Sequence, residues 1–165
     1  MKKILIVTFA VLILITFSLL NAYASVLGQI KITANGNAII GTLEDNPASR
    51  AFYDMLPTTF HMRDLYEREM CYNMPKALPT GQLTARAYQV GDIIYWPPRH
   101  SFVILYKQNG ERFQRQHLGH IDYGVEIFEI TGDAVVTFEK LELSPENNSR
   151  PNSDIPAPEK IEFVK

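Results

Sequence analysis

Ile30-Lys31-Ile32-Thr33-Ala34-Asn35-Gly36-Asn37-Ala38-Ile39-Ile40-Gly41-Thr42-Leu43 is the stretch that decides how this chain folds. Asn35-Gly36 at its centre is a strong signal for a two-residue hairpin, because a type I′ turn needs positive φ at both central positions. Centring the turn there pairs Ile32 with Ile39 and Ile30 with Gly41. Ile30, Ile32, Ile39 and Leu43 then share one face, and Lys31, Thr33 and Thr42 share the other. A slip of one residue would mix the two sets, so this segregation fixes the register.

Working outward, the next segment is a helix. Asn46 can cap it, Pro47 suits its first position, and Ala48, Phe52, Met55 and Leu56 make an apolar stripe before Pro57 stops it. Period-two patterns predict further strands at 59–63, 69–73, 92–96 and 134–143, and a short helical turn around 125–130. A second hairpin is expected at Asn109-Gly110, pairing Tyr106 with Phe113, Ile104 with Arg115 and Phe102 with His117. One face would then carry Phe102, Ile104, Tyr106, Phe113, Arg115 and His117. Val103, Leu105, Lys107, Arg112, Gln114 and Gln116 would make the other. Many strands with one or two short helices predict a mainly β, closed barrel capped at its ends.

The two ends of the chain read differently. Lys2 and Lys3 precede an uncharged run from Ile4 to Leu20, and Ala22-Tyr23-Ala24 supplies the small-x-small pattern of a signal-peptidase site. The expectation is a leader at 1–24, cleavage after Ala24 and export to the periplasm or the medium. An uncleaved anchor would need about 20 apolar residues with flanking charges, whereas Asn21 and the small-x-small site follow here. No cysteine lies near that site to take a lipid, so no stable membrane insertion is expected after cleavage. Residues 25–143 then form one domain, and 144–165 a flexible tail carrying Pro145, Pro151, Pro156 and Pro158 among Asn, Ser, Asp and Glu. Within it, Ile161-Glu162-Phe163-Val164 alternates weakly, an edge-strand pattern.

The formal charge is −2, and losing Lys2 and Lys3 makes it −4. Nothing basic enough to follow a phosphate backbone remains, which excludes nucleic acid as a partner. Cys71 is the only cysteine, so there is no internal disulfide, and its setting in Glu69-Met70-Cys71-Tyr72 reads as a buried strand position. The sequence fixes no oligomeric state.

The order of segments carries a resemblance. Leu43-Glu44-Asp45-Asn46-Pro47-Ala48-Ser49 leads into Met55-Leu56-Pro57, followed by Gly91-Asp92-Ile93-Ile94-Tyr95-Trp96-Pro97, Phe102-Val103-Ile104-Leu105-Tyr106 and Leu118-Gly119-His120-Ile121-Asp122-Tyr123-Gly124. Over about residues 29–143 this resembles the small bacterial cyclophilin-like family. The resemblance implies a closed, eight-stranded, mostly antiparallel cyclophilin-like β-barrel with a helix over each open end. In enzymatic cyclophilins the substrate groove lies on the outer wall, and an arginine in a Phe-His-Arg strand assists rotation about X-Pro bonds. Phe60-His61-Met62-Arg63 stands at the matching place. Its extra Met62 departs from the pattern, since in an extended strand Phe60 and Met62 face one way and Arg63 the other. The Gln-Gly-Gly-Asp and Gly-Ser-Gln-Phe-Phe segments of the active enzymes are absent.

The candidate binding surface is the face holding Phe102, Tyr106, Phe113, Arg115 and His117, with Trp96 from the stiff turn Tyr95-Trp96-Pro97-Pro98-Arg99-His100 beside it. The competing arrangement points Phe102, Ile104 and Tyr106 into the barrel, and packs the Trp96 turn against a barrel end. The cost of burying an unpaired guanidinium points Arg115 and His117 outward. His117 and His120 face opposite ways in a regular strand, so no metal site is expected, and no motif asks for a cofactor. No hydrolase motif and no phosphate loop occurs. The sequence therefore describes an exported cyclophilin-like domain that binds a peptide segment or small-molecule ligand in the cell envelope. Its alternatives are a weak peptidyl-prolyl isomerase using Arg63 or Arg115, or a tail-tethered interaction module.

Overall fold

In the computed structural model the described residues are 25–81 and 83–141, so the expected leader (1–24) and tail (144–165) lie outside them. Eight strands are laid down in the order β1 Val26–Ala34, β2 Asn37–Glu44, β3 Thr58–Leu65, β4 Glu69–Asn73, β5 Asp92–Trp96, β6 Ser101–Leu105, β7 Gln116–His120 and β8 Ala134–Lys140. They close into a barrel in the order β1-β2-β7-β5-β6-β4-β3-β8. Every neighbouring pair is antiparallel. Closure gives every strand a neighbour on both sides.

The first hairpin has the expected register, Ile32 opposite Ile39 and Ile30 opposite Gly41. Asn35 and Gly36 both hold positive φ, 48° and 80°. Ile30, Ile32, Ile39 and Leu43 are all buried. Helix α1, Pro47–Asp54, starts as its sequence demands: Asn46 Oδ1 accepts the Ser49 amide at 3.0 Å, with Pro47 in the first turn. Its inner face sends Phe52 into the barrel, 4.6 Å from the Phe102 ring centroid and 5.5 Å from Phe138, with Phe60 alongside. Ser49 Oγ donates to the Leu118 carbonyl and Asn46 Nδ2 to that of His117, tying α1 to β7. A short 3₁₀ segment, Val125–Ile130, buries Phe128 6.4 Å from Tyr106. Phe52 meets the first half of β6 and Phe128 meets the residue beyond its end, so the two helical segments sit at opposite mouths.

The second expected hairpin does not form. Gly110 has φ of 79°, but β6 and β7 are not paired with each other. Strand β6 has both edges occupied, by β4 and β5, so 112–117 has no edge there to join. Ile104 lies opposite Met70 and Ile93, not Arg115; Phe102 lies opposite Tyr72 and Tyr95, not His117. Residues 106–115 instead wrap the outer wall, and Asn109 Oδ1 accepts the Tyr88 hydroxyl and the Glu111 amide. The segment is stitched to the strand-free run before β5 by isolated bridges, Thr84 with Arg115 and Ala87 with Arg112. Beneath this wrap lies a second apolar cluster outside the barrel: Cys71, Tyr88, Ile94, Val103 and Leu105, with Leu65 and Phe113 against it.

Strand β7 carries a bulge. Ile93 faces Gly119 and Ile94 faces His117, so Leu118 is an extra residue. Gly119 is required there, because a Cβ would collide with the Thr42 carbonyl oxygen of β2.

Candidate functional site

The outward side chains of β3, β4, β6 and β5 stand in rows set by the strand registers. Arg63 is opposite Cys71, Cys71 opposite Val103, and Val103 opposite Ile94. In the next row, Asn73 is opposite Ser101 and Ser101 opposite Trp96. A cavity of about 320 Å³ opens on this grid. Its floor is Cys71, Val103 and Ile94, and its aromatic walls are Tyr66, Trp96 and Phe113. Short side chains make a floor only because the residues alternating with them, Met70, Phe102, Ile104 and Ile93, fill the barrel behind it.

The charges around the groove are of two kinds. Arg68 is engaged: it donates to Glu111 Oε2 at 2.9 Å, approaches Glu69 at 3.8 Å and lies 5.0 Å over the Tyr66 ring. Arg63 and Arg99 also line the groove, and neither makes an ion pair among the described residues. Burial pushes the Glu69 carboxyl up from its ordinary range. Burial likewise raises the Cys71 thiol, against a hydrogen bond with Ser101 that lowers it, so Cys71 is a poor nucleophile. At the groove's edge Tyr66 and Glu67 both hold positive φ, 59° and 53°, a strained arrangement for residues with side chains.

Next to the groove, under the wrap, is a buried charge network built on the β7 bulge. The extra residue puts His117 and His120 on the same side, correcting the expectation that they diverge. His117 Nε2 and His120 Nδ1 both lie 3.1 Å from Asp92 Oδ1. His117 Nδ1 is 2.9 Å from Glu44 Oε1. Arg115 lies fully buried behind them, Nη2 3.7 Å from Asp92 Oδ2, while Nη1 donates to the Arg86 and Phe113 carbonyls at 2.7 and 3.2 Å. Burial alone would raise the Asp92 carboxyl, but hydrogen bonds from His117 and the Gln89 amide bring it down to about 2. Burial alone would lower His117, but its bonds to Asp92 and Glu44 raise it to about 9. Burial lowers Arg115. Among the described residues no cluster of His, Cys, Asp and Glu has the arrangement of a metal site.

The expected site residues thus divide. Arg63, Trp96 and Phe113 come together on the groove, and Arg63 does face away from Phe60 and Met62, which are buried. Phe102 and Tyr106 point into the barrel, 0% and 2% exposed, where the former packs among Phe52, Phe60 and Phe138. Arg115 is 0% exposed and not on an outer surface. It escapes the cost of an unpaired buried guanidinium by lying beside Asp92 and two carbonyls. His117 belongs to the Asp92 network. Tyr66, Arg68 and Cys71 were not foreseen as site residues, and Arg99 only as part of the turn that carries Trp96. Strand alternation marks only Cys71; Tyr66 and Arg68 lie in the turn between β3 and β4 and Arg99 in the 3₁₀ turn between β5 and β6, and the barrel's strand order brings them together.

A family model described as the cyclophilin-like family matches residues 32–139. No curated protein matches the chain. Among solved structures it is similar to the solution structure of a hypothetical protein from Archaeoglobus fulgidus, with 14% identity and a TM-score of 0.58, over 73% of this chain and 99% of that one. That likeness speaks for the fold alone. The family match spans the strands that close the barrel from β1 to β8, and by it, together with the eight-stranded topology, the chain belongs to the cyclophilin-like family.

Proposed function

We propose that this is an exported cyclophilin-like domain whose outer-wall groove holds a peptide segment or small ligand in the cell envelope. The observation that carries the reading is the groove itself: an apolar floor in register across three strands, three aromatic walls, and two arginines without an ion-pair partner among the described residues. Flat apolar faces give area to a proline or aromatic ring, and a guanidinium gives a directional donor to a carbonyl. Arg63→Ala should weaken binding of proline-containing tetrapeptides about tenfold, by removing one charge-assisted hydrogen bond. Its melting temperature should stay within about 2 °C of the parent, because an exposed side chain without partners stabilises little. A variant that melts much earlier and binds unchanged would remove Arg63 from the site.

A second reading, weak peptidyl-prolyl isomerisation, is favoured by the position of Arg63 at the groove edge. A guanidinium donating to the prolyl nitrogen would weaken the amide resonance that sets the ~18–20 kcal/mol barrier to rotation. A protease-coupled assay separates the readings: turnover that disappears in Arg63→Ala supports the enzyme, and binding without turnover supports the ligand-binding domain. Export rests on Lys2, Lys3 and Ala22-Tyr23-Ala24. The extracytoplasmic protein should begin at Ser25 by intact mass, and a membrane-bound form retaining 1–24 would overturn that part.

A further inference from the structure

We propose that the groove selects ligands bearing a carboxylate on a flat apolar body, with the carboxylate between Arg63 and Arg99 and the body on the Cys71–Val103–Ile94 floor. The inference rests on the groove reading and names its ligand class.

Charge accounting carries it. The lining holds three guanidinium groups, Arg63, Arg68 and Arg99, against two carboxylates, Glu69 and Glu111. Both carboxylates are engaged by Arg68, at 3.8 and 2.9 Å. That end of the groove carries one guanidinium against two carboxylates and repels a further anion. The surplus positive charge lies with Arg63 and Arg99, which enter from different elements: Arg63 from β3, and Arg99 from the 3₁₀ turn Pro97–Arg99 that joins β5 to β6. Both line the same groove as the Cys71–Val103–Ile94 floor. This runs against the chain's own formal charge of −2, so the cationic end is a local feature.

The rest of the lining narrows the anion. Two planar forks match a carboxylate, which accepts bidentate bonds in their plane. The remaining polar groups at that end, Asn73 and Ser101, are neutral, with Ser101 Oγ donating to Asn73 Oδ1 at 2.8 Å. A phosphate with more charge would find no further cation. Phe113 is held in place from behind by Arg115, whose guanidinium carbon lies 5.2 Å from its ring centroid, so that wall is a fixed flat face. The acid can come from a free small molecule or from a peptide C-terminus, since both present the same group.

The test uses matched pairs: 3-phenylpropionate and its primary amide for the free acid, and acetyl-Ala-Pro-Phe and its C-terminal amide for the peptide. Trp96, the only tryptophan, reports on the groove by fluorescence. At least one acid should bind about tenfold tighter than its amide, and the preference should shrink with added salt. Arg63→Gln and Arg99→Gln should each reduce it to under about threefold, with unchanged melting curves. Which pair shows the preference identifies the source. Acids and amides binding equally well would overturn the carboxylate inference and leave the groove reading standing. A preference that survives both substitutions would also overturn it. Failure of all four probes to bind would overturn both.

Discussion

Replacing Asp92 by alanine is expected to cost about 3–5 kcal/mol, because it leaves buried positive groups without their counter-charge. Asp92 is 1% exposed, and His117, His120 and Arg115 all converge on its carboxylate. Removing it strands Arg115, whose Nε and Nη2 already lack hydrogen-bond partners. Urea denaturation reads this directly as a fall in the midpoint. A loss under about 1 kcal/mol would mean that the network is solvated in solution and the wrap over it is loose.

The same network sets a pH profile. Asp92 sits at about 2 against an ordinary 3.8, so its contribution is complete above 3.8 and is lost as the pH falls through about 2. His117 sits at about 9 against an ordinary 6.5, so its contribution is complete below 6.5 and is lost as the pH rises through about 9. Stability should therefore be greatest between about pH 4 and pH 6.5 and decline on both sides. In Asp92→Ala the alkaline decline should shrink, since His117 keeps only Glu44.

The second large effect belongs to a residue that the sequence placed at the binding surface. Phe102→Ala should destabilise by about 3–5 kcal/mol through loss of transfer energy and the cavity left behind. The Phe102 ring lies 4.6 to 5.5 Å from Phe52, Phe60 and Phe138, and none of these can collapse into the space without leaving another partner. At temperatures where the variant is folded, its affinity for groove ligands should match the parent's. Weakened binding with an unchanged midpoint would return Phe102 to the outer wall and contradict the barrel's inside-outside assignment.

These two residues also mark where the sequence is legible. Local pattern carried the first hairpin, the capped helix, strands β4 and β5 to the residue, and the 3₁₀ segment, because in each the deciding residues are neighbours. Asn109-Gly110 misled because a turn signal specifies only a turn; whether it joins two paired strands depends on which edges are vacant. Both edges of β6 are taken by β4 and β5, partners 30 residues upstream and immediately before it in the chain. With that pairing wrong, Arg115 appeared to share an outer face with Phe102 and His117. The convergence of His117 and His120 was hidden for a related reason: strict alternation separates them, and one bulged residue, Leu118, cancels it. The groove was half visible. Arg63, Trp96 and Phe113 carried local reasons for notice, whereas Cys71 joins them only through cross-strand registers and Arg99 through the turn that connects β5 to β6.

The outer wall of β3, β4, β6 and β5 is the proposed ligand surface. The most direct measurement is an amide chemical-shift map of the protein titrated with acetyl-Ala-Pro-Phe. Shifts should centre on Arg63, Cys71, Trp96, Arg99 and Phe113, and leave the β1–β2 hairpin unmoved. Shifts centred on the hairpin or on the barrel mouth beside α1, with the groove silent, would contradict it.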